Sequence, residues 1–104
     1  MRQLAIGCFL LCVSQVLAEP AVLRREFIYD SAPFPQCHAS SIVETSGGLV
    51  ATWFGGTREK HPDVCIWIAR HHEGKWTAPQ KVIDGVQPDG TRHPCWNPVL
   101  FSAP

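Results

Sequence analysis

LVATWF at Leu49–Phe54 and VCIWIAR at Val64–Arg70 flank a polar loop, GGTREKHPD, at Gly55–Asp63. Both apolar runs are short and rich in β-branched and aromatic residues, the composition of strands rather than helices. In the second run Val64, Ile66 and Ile68 fall on one face and Cys65, Trp67 and Ala69 on the other. Apolar residues on both faces predict a strand covered on both sides. Two such strands joined by one loop define an antiparallel pair, and the rest of the chain is read against it.

Outward from that pair the pattern repeats. ASSIVE (Ala39–Glu44) is a strand candidate, joined to Leu49–Phe54 by a tight turn at Thr45-Ser46-Gly47-Gly48, where glycine supplies positive φ. His71–Lys75 is a second hairpin turn, pivoting at Gly74. Trp76–Ile83 follows as a strand broken by Pro79, which belongs at a sheet edge. REFIYD (Arg25–Asp30) alternates and reads as a strand before the meander. NPVLF (Asn97–Phe101) reads as a strand after it, beyond a Gly-, Pro- and Asp-rich loop at Asp84–Pro94. No helix of useful length is expected; nine Pro and eight Gly in 104 residues instead favour many turns between short strands.

Composition narrows the function classes. Nine Lys+Arg balance nine Asp+Glu, so neither a nucleic-acid partner nor an anionic membrane surface is expected from bulk charge. A hydrophobic content of 45% without charge blocks excludes a disordered chain. Residues 1–18 read as a secretory signal: Arg2 supplies a basic start, Leu4–Val13 an apolar core, and Val16-Leu17-Ala18 a peptidase site before Glu19. The core is about half the ~20 residues a membrane anchor needs. The expected product is secreted or periplasmic, with no membrane attachment after cleavage. Removing 18 of 104 residues leaves 86, with eight basic against nine acidic groups and three cysteines, Cys37, Cys65 and Cys95.

A faint repeat spans the chain. PQCH (Pro35–His38) precedes the ASSIV strand, and HPCW (His93–Trp96) precedes NPVLF. A four-stranded meander followed by the start of another is the pattern of a propeller blade and its neighbour. Eighty-six residues supply about one blade and the start of the next, whereas a propeller closes with four or more. The chain is therefore expected to be the N-terminal part of a larger all-β propeller. If Cys37 and Cys95 precede the inner strands of adjacent blades, they lie close together, and a Cys37–Cys95 disulfide is expected in an exported protein. A metal reading through Cys37, His38, His93 and Cys95 matches no zinc spacing.

Chemistry-bearing residues gather in the Gly55–Asp63 loop. Arg58 is suited to gripping a carboxylate through paired hydrogen bonds. Asp63, at the mouth of a buried strand, is expected to have a raised pKa and to serve as a general acid, with Glu59 as an alternative. His38, just ahead of an inner strand, faces the same cavity. The competing reading is a solvated loop with surface ion pairs. Trp53, Trp67 and Trp76 are assigned to packing; Trp96, beside Asn97 at a strand entrance, is a pocket candidate.

FPQCHASSIVE, LVATWFGGTREKHPDVCIWIAR, EGKWTAPQKV and HPCWNPVLF together resemble the sialidase (neuraminidase) superfamily, in its bacterial-type members with six-bladed propellers. The likeness covers Phe34–Phe101, most of the chain after the signal. It implies an exported, exo-acting glycoside hydrolase for terminal, acidic sugars, with a glycan as partner and no metal or organic cofactor. Asp63 matches the family's acid/base aspartate and Arg58 an arginine that contacts substrate. Asn97-Pro98 resembles the Asn-Pro opening the second blade, and His71–Trp76 a shortened Asp-box turn. His38 stands where the family has a carboxylate-binding arginine. Imidazole offers no guanidinium fork, which widens the expected substrate to other acidic or neutral sugars. The family's tyrosine–glutamate nucleophile pair would come from later blades, since Tyr29 precedes the first inner strand; the 104 residues alone are expected to be inactive. A non-catalytic carbohydrate-binding propeller and a uronate lyase using His38 as base are the alternatives.

Overall fold

The computed structural model describes residues 21–103. The expected signal at 1–18 lies outside the described residues. All the regular structure among the described residues is strand: β1 (Gln36–Thr45), β2 (Gly48–Gly56), β3 (Cys65–His72), β4 (Lys75–Trp76) and β5 (Gln80–Ile83). β1, β2 and β3 form an antiparallel meander. β5 continues the sheet on the far edge of β3, and β4 closes a short hairpin with the end of β3. This is the all-β, blade-type architecture expected from the alternation.

The turns explain why the strands reverse where they do. The β1–β2 turn is tied by the Thr45 hydroxyl, which donates to the Gly48 carbonyl at 2.8 Å. Gly48 itself has φ 110°, and a Cβ there would run into the His71 carbonyl oxygen, so no other residue fits without displacement. The β3–β4 turn is Glu73–Gly74, both left-handed at φ 50° and 79°, as the two-residue hairpin turns that match strand twist require. The run Trp76–Ile83 splits at Thr77–Pro79 into β4 and β5. The edge position of β5 accommodates the nearby proline, which offers no ladder N–H.

The alternation along β2 and β3 sorts side chains onto two faces. On one, Ala51, Trp53, Ala69 and Phe34 are buried, with Ile28, Tyr29, Trp67 and Trp76 packed against them. Phe34 lies 4.8 Å from Trp67 and Tyr29 lies 5.4 Å from Trp53, ring centre to ring centre. On the other, Phe54, Val64 and Ile66 form a smaller cluster joined by Cys95. β3 is thus covered on both sides in its first half, as its composition predicts.

Two expected strands do not form. Arg25–Asp30 is irregular; Phe27 is 86% exposed, while Ile28 and Tyr29 plug the aromatic face. Their side chains are used in packing, with no ladder partner for the backbone. Asn97–Phe101 also lacks strand pairing. Its segment is a strap that crosses the sheet. The Cys95 amide donates to the Val64 carbonyl at 3.0 Å beside β3, Trp96 meets Phe54 on β2, and the Leu100 amide donates to Ser41 Oγ on β1 at 3.0 Å.

The strap corrects the expected Cys37–Cys95 disulfide. Cys37 pairs with Gly55, Gly55 pairs with Cys65, and Cys95 lies beyond Cys65. At ~4.8 Å per strand this separates Cys37 from Cys95 by roughly 14 Å, about twice the span a disulfide tolerates. Among the described residues Cys37, Cys65 and Cys95 carry free thiols. The Cys37–His38–His93–Cys95 quartet is pulled apart by the same geometry.

Candidate functional site

One end of the sheet collects nearly every residue singled out above. There β1 begins (Cys37, His38), β2 ends (Gly55, Gly56), β3 begins (Cys65), and the 57–64 loop and the strap meet them. The face turned to this end is the smaller cluster. Phe54 sits at its centre, with His38 at 5.6 Å on one side and Trp96 at 6.5 Å on the other, ring centre to ring centre. His38 and Trp96 are exposed and Phe54 is buried, so the row presents two aromatic rims above an apolar floor. Such a surface suits the C–H faces of a sugar ring, which pack on aromatic planes while hydroxyls stay in water.

A β-bulge aims His38. The β1–β2 register shifts between His38 and Ser41, and Ala39 within it has φ 55°. A left-handed alanine is uncommon and costs backbone strain of order 1 kcal/mol or more, which persists where surrounding structure enforces it. Bulges recur where a side chain must be redirected. A cavity of about 260 Å³ opens at this bulge, lined by His38, Ala39, Cys37, Tyr29 and Trp53 among others.

The loop is organised by Asp63. Its Oδ1 accepts the Thr57 amide at 3.0 Å, its Oδ2 accepts the Thr57 hydroxyl at 2.6 Å, and His61 Nδ1 lies 2.7 Å from Oδ1. Turns closed by His61 N–H on the Arg58 carbonyl and Val64 N–H on the His61 carbonyl, each 3.0 Å, complete the loop. Gly56 is required by this clamp: a Cβ there would stand 2.7 Å from Asp63 Oδ1 and 2.9 Å from the Val64 Cα.

These hydrogen bonds reverse the expected electrostatics. Thr57, through its hydroxyl and then its amide, and His61 after it, hold the Asp63 carboxyl down to about 2, against an ordinary 3.8. The raised pKa expected from its place at a strand mouth is therefore corrected: the side chain is a third exposed, so desolvation is small and donors to the ionised form prevail. In this state Asp63 is an ionised loop clamp, able to accept a proton but holding none to donate. Arg58 is exposed on the same loop, and among the described residues its guanidinium pairs with no carboxylate. Asn97 is exposed next to Trp96.

Tyr29 lies under the opposite face. Burial first, and then the hydrogen bond to the Cys37 thiol at 3.1 Å, push its phenol up to about 12. A phenol so held is a poor nucleophile, in keeping with its place before the first strand.

Three participants carried no signal in the sequence. Phe54 reads as one more core residue until its two ring neighbours are seen. Thr57 and His61 matter only because the loop folds back six and two residues onto Asp63.

Among known protein families, residues 47–104, more than half of the chain, match the BNR repeat-like domain. With strand as the only regular structure among the described residues, in an antiparallel sheet of the type such repeats build into propeller blades, the chain belongs to the BNR repeat-like family. No curated protein and no solved structure matches it.

Proposed function

We propose that this chain forms the sugar-facing first part of an exported, sialidase-type glycoside hydrolase acting on terminal acidic sugars, closed into a ring by further blades. Residues 1–18 direct export and are removed, and residues 19–104 belong to the propeller. The observation that carries the reading is the pairing, at one sheet end, of an aromatic cleft (His38, Phe54, Trp96) with an exposed cation, Arg58, that meets no carboxylate among the described residues. Arg58 takes the sugar carboxylate, His38 and Trp96 flank the ring, and Asn97 bonds a hydroxyl. Membership of the BNR repeat-like family supports a propeller of this class.

Asp63 is the proposed acid/base. Ionised at rest, it takes up a proton from solvent water before it protonates the leaving glycosidic oxygen. It can protonate a leaving oxygen only after substrate entry displaces the Thr57 hydrogen bonds that hold its pKa at about 2. That same low value favours one second reading: a carbohydrate-binding propeller in which Asp63 only shapes the loop.

Asp63→Asn in the ring-closed protein separates the two, assayed for cleavage and for binding on sialosides and uronosides. The enzyme reading expects the rate to fall about 10²–10⁴-fold with affinity retained. Unchanged slow turnover, or no turnover by the parent with sugar still bound, leaves the binding reading in its place.

A further inference from the structure

The strap brings Cys95 to a different thiol from the one the sequence repeat implies. Its amide donates to the Val64 carbonyl at 3.0 Å, and it packs against the cluster that holds Val64 and Ile66. These two residues bracket Cys65. Cys95 therefore occupies the place that a residue on a neighbouring strand would hold opposite Cys65, about 5 Å away Cα to Cα. Disulfides bridge Cα atoms about 4.4–6.8 Å apart. Cys65 is buried, its thiol resting on the Asp63 carbonyl at 3.1 Å, and Cys95 is half-buried against Phe54, Val64 and Ile66.

We propose that Cys65 and Cys95 form a disulfide that staples the strap to β3 and so holds Trp96 over Phe54. The oxidant is a small-molecule or protein disulfide. Cys95, the more accessible thiol, loses its proton and attacks one sulfur of that disulfide, expelling the other as a thiolate. The Cys65 thiolate then attacks the Cys95 sulfur of the mixed disulfide and expels the second thiolate. Two protons leave the protein, and the electron pair leaves with the two thiols of the reduced oxidant.

Burial pushes both thiols above their ordinary pKa, so the exchange is slow at neutral pH and quickens as pH rises. Without the staple the strap is tied to the sheet chiefly through the Cys95 and Leu100 amides, and Trp96 is half exposed. With it, the 95–100 segment is fixed at β3 covalently.

Trypsin separates Cys37, Cys65 and Cys95, since Arg58, Lys60, Arg70 and Arg92 divide them. The full chain is equilibrated with oxidised and reduced glutathione, quenched in acid, alkylated, and digested without reduction for mass spectrometry. Hydrogen exchange of the intact chain is followed in parallel. The expected product joins the peptide His61–Arg70 to the peptide beginning at His93, two hydrogens lighter than their sum, with Cys37 alkylated. Exchange at residues 95–100 then slows at least tenfold on oxidation, while β1–β3 stay equally protected in both states. Cys37 linked to either partner, or Cys65 and Cys95 unlinked while β1–β3 remain protected, overturns the disulfide. Equal exchange at 95–100 in both states overturns its role in holding the strap.

Discussion

The two faces of the same three strands are finished differently. On one, Trp53, Phe34, Ala51 and Ala69 are packed beneath Tyr29, Trp67 and Trp76, an aromatic core closed by the incoming chain. On the other, Phe54, Val64 and Ile66 are covered by little more than Cys95, and the rims of the cluster, His38 and Trp96, remain exposed. Adjacent residues of β2, Trp53 and Phe54, thus serve opposite ends: one fills a core and the other floors a cleft. Burial is concentrated on the first face, and the rims of the second are left exposed.

The contrast is broken most forcefully by truncation. Trp53→Ala is expected to destabilise the fold by about 3–5 kcal/mol, the usual cost of deleting a buried aromatic, read as a lower denaturant midpoint. Trp96→Ala, at 51% exposure, is expected to change stability by no more than about 0.5 kcal/mol. Equal losses at the two positions would erase the distinction between the faces.

Acid sharpens the comparison at the loop. Asp63 has a folded-state pKa of about 2 against an ordinary 3.8. Its contribution to stability is therefore fully present above the ordinary value and lost as pH falls through about 2. Asp63→Asn should lower stability at neutral pH and flatten the acid limb of the pH–stability curve between those values. A variant whose acid limb matches the parent's would show that the clamp is not formed.

The smallest effect is spectroscopic. Tyr29 is the only tyrosine, so alkaline titration of tyrosinate absorbance reports it alone. The midpoint is expected near 12, and Cys37→Ala, which removes one of the causes of the rise, should lower it. A midpoint at the ordinary value of 10 would mean that Tyr29 does not plug the core.

Much of the meander was legible because local signals agreed. Alternation in VCIWIAR, glycine at the two hairpin turns and Pro79 at an edge all depend on neighbours in sequence, and β1, β2, β3 and β5 fall where those signals put them. The misread elements lacked such closure. REFIYD and NPVLF have strand composition, but pairing needs a backbone partner, which no local pattern specifies; one became a plug and the other a strap. For the candidate residues, position along the sheet was legible and electrostatic state was not. His38, Arg58, Asp63 and Trp96 come to one end of the sheet as their order along the chain implies. The protonation of Asp63 was misjudged because it is set by Thr57, six residues away, and not by the strand mouth. The cysteine pairing failed for the same kind of reason: a repeat 58 residues apart says nothing about a strap that crosses three strands between them.

Whether the thin end of the sheet is the proposed sugar site is tested most directly by a ligand titration followed by nuclear magnetic resonance. A sialoside and a glucuronide are added to the isotope-labelled protein while backbone amides and tryptophan indole signals are recorded. The predicted result is saturable shifts at His38, Arg58, Asn97 and the Trp96 indole, with the Trp53 indole unmoved. Shifts centred on Trp53 and Tyr29, or none at millimolar sugar, would contradict the account.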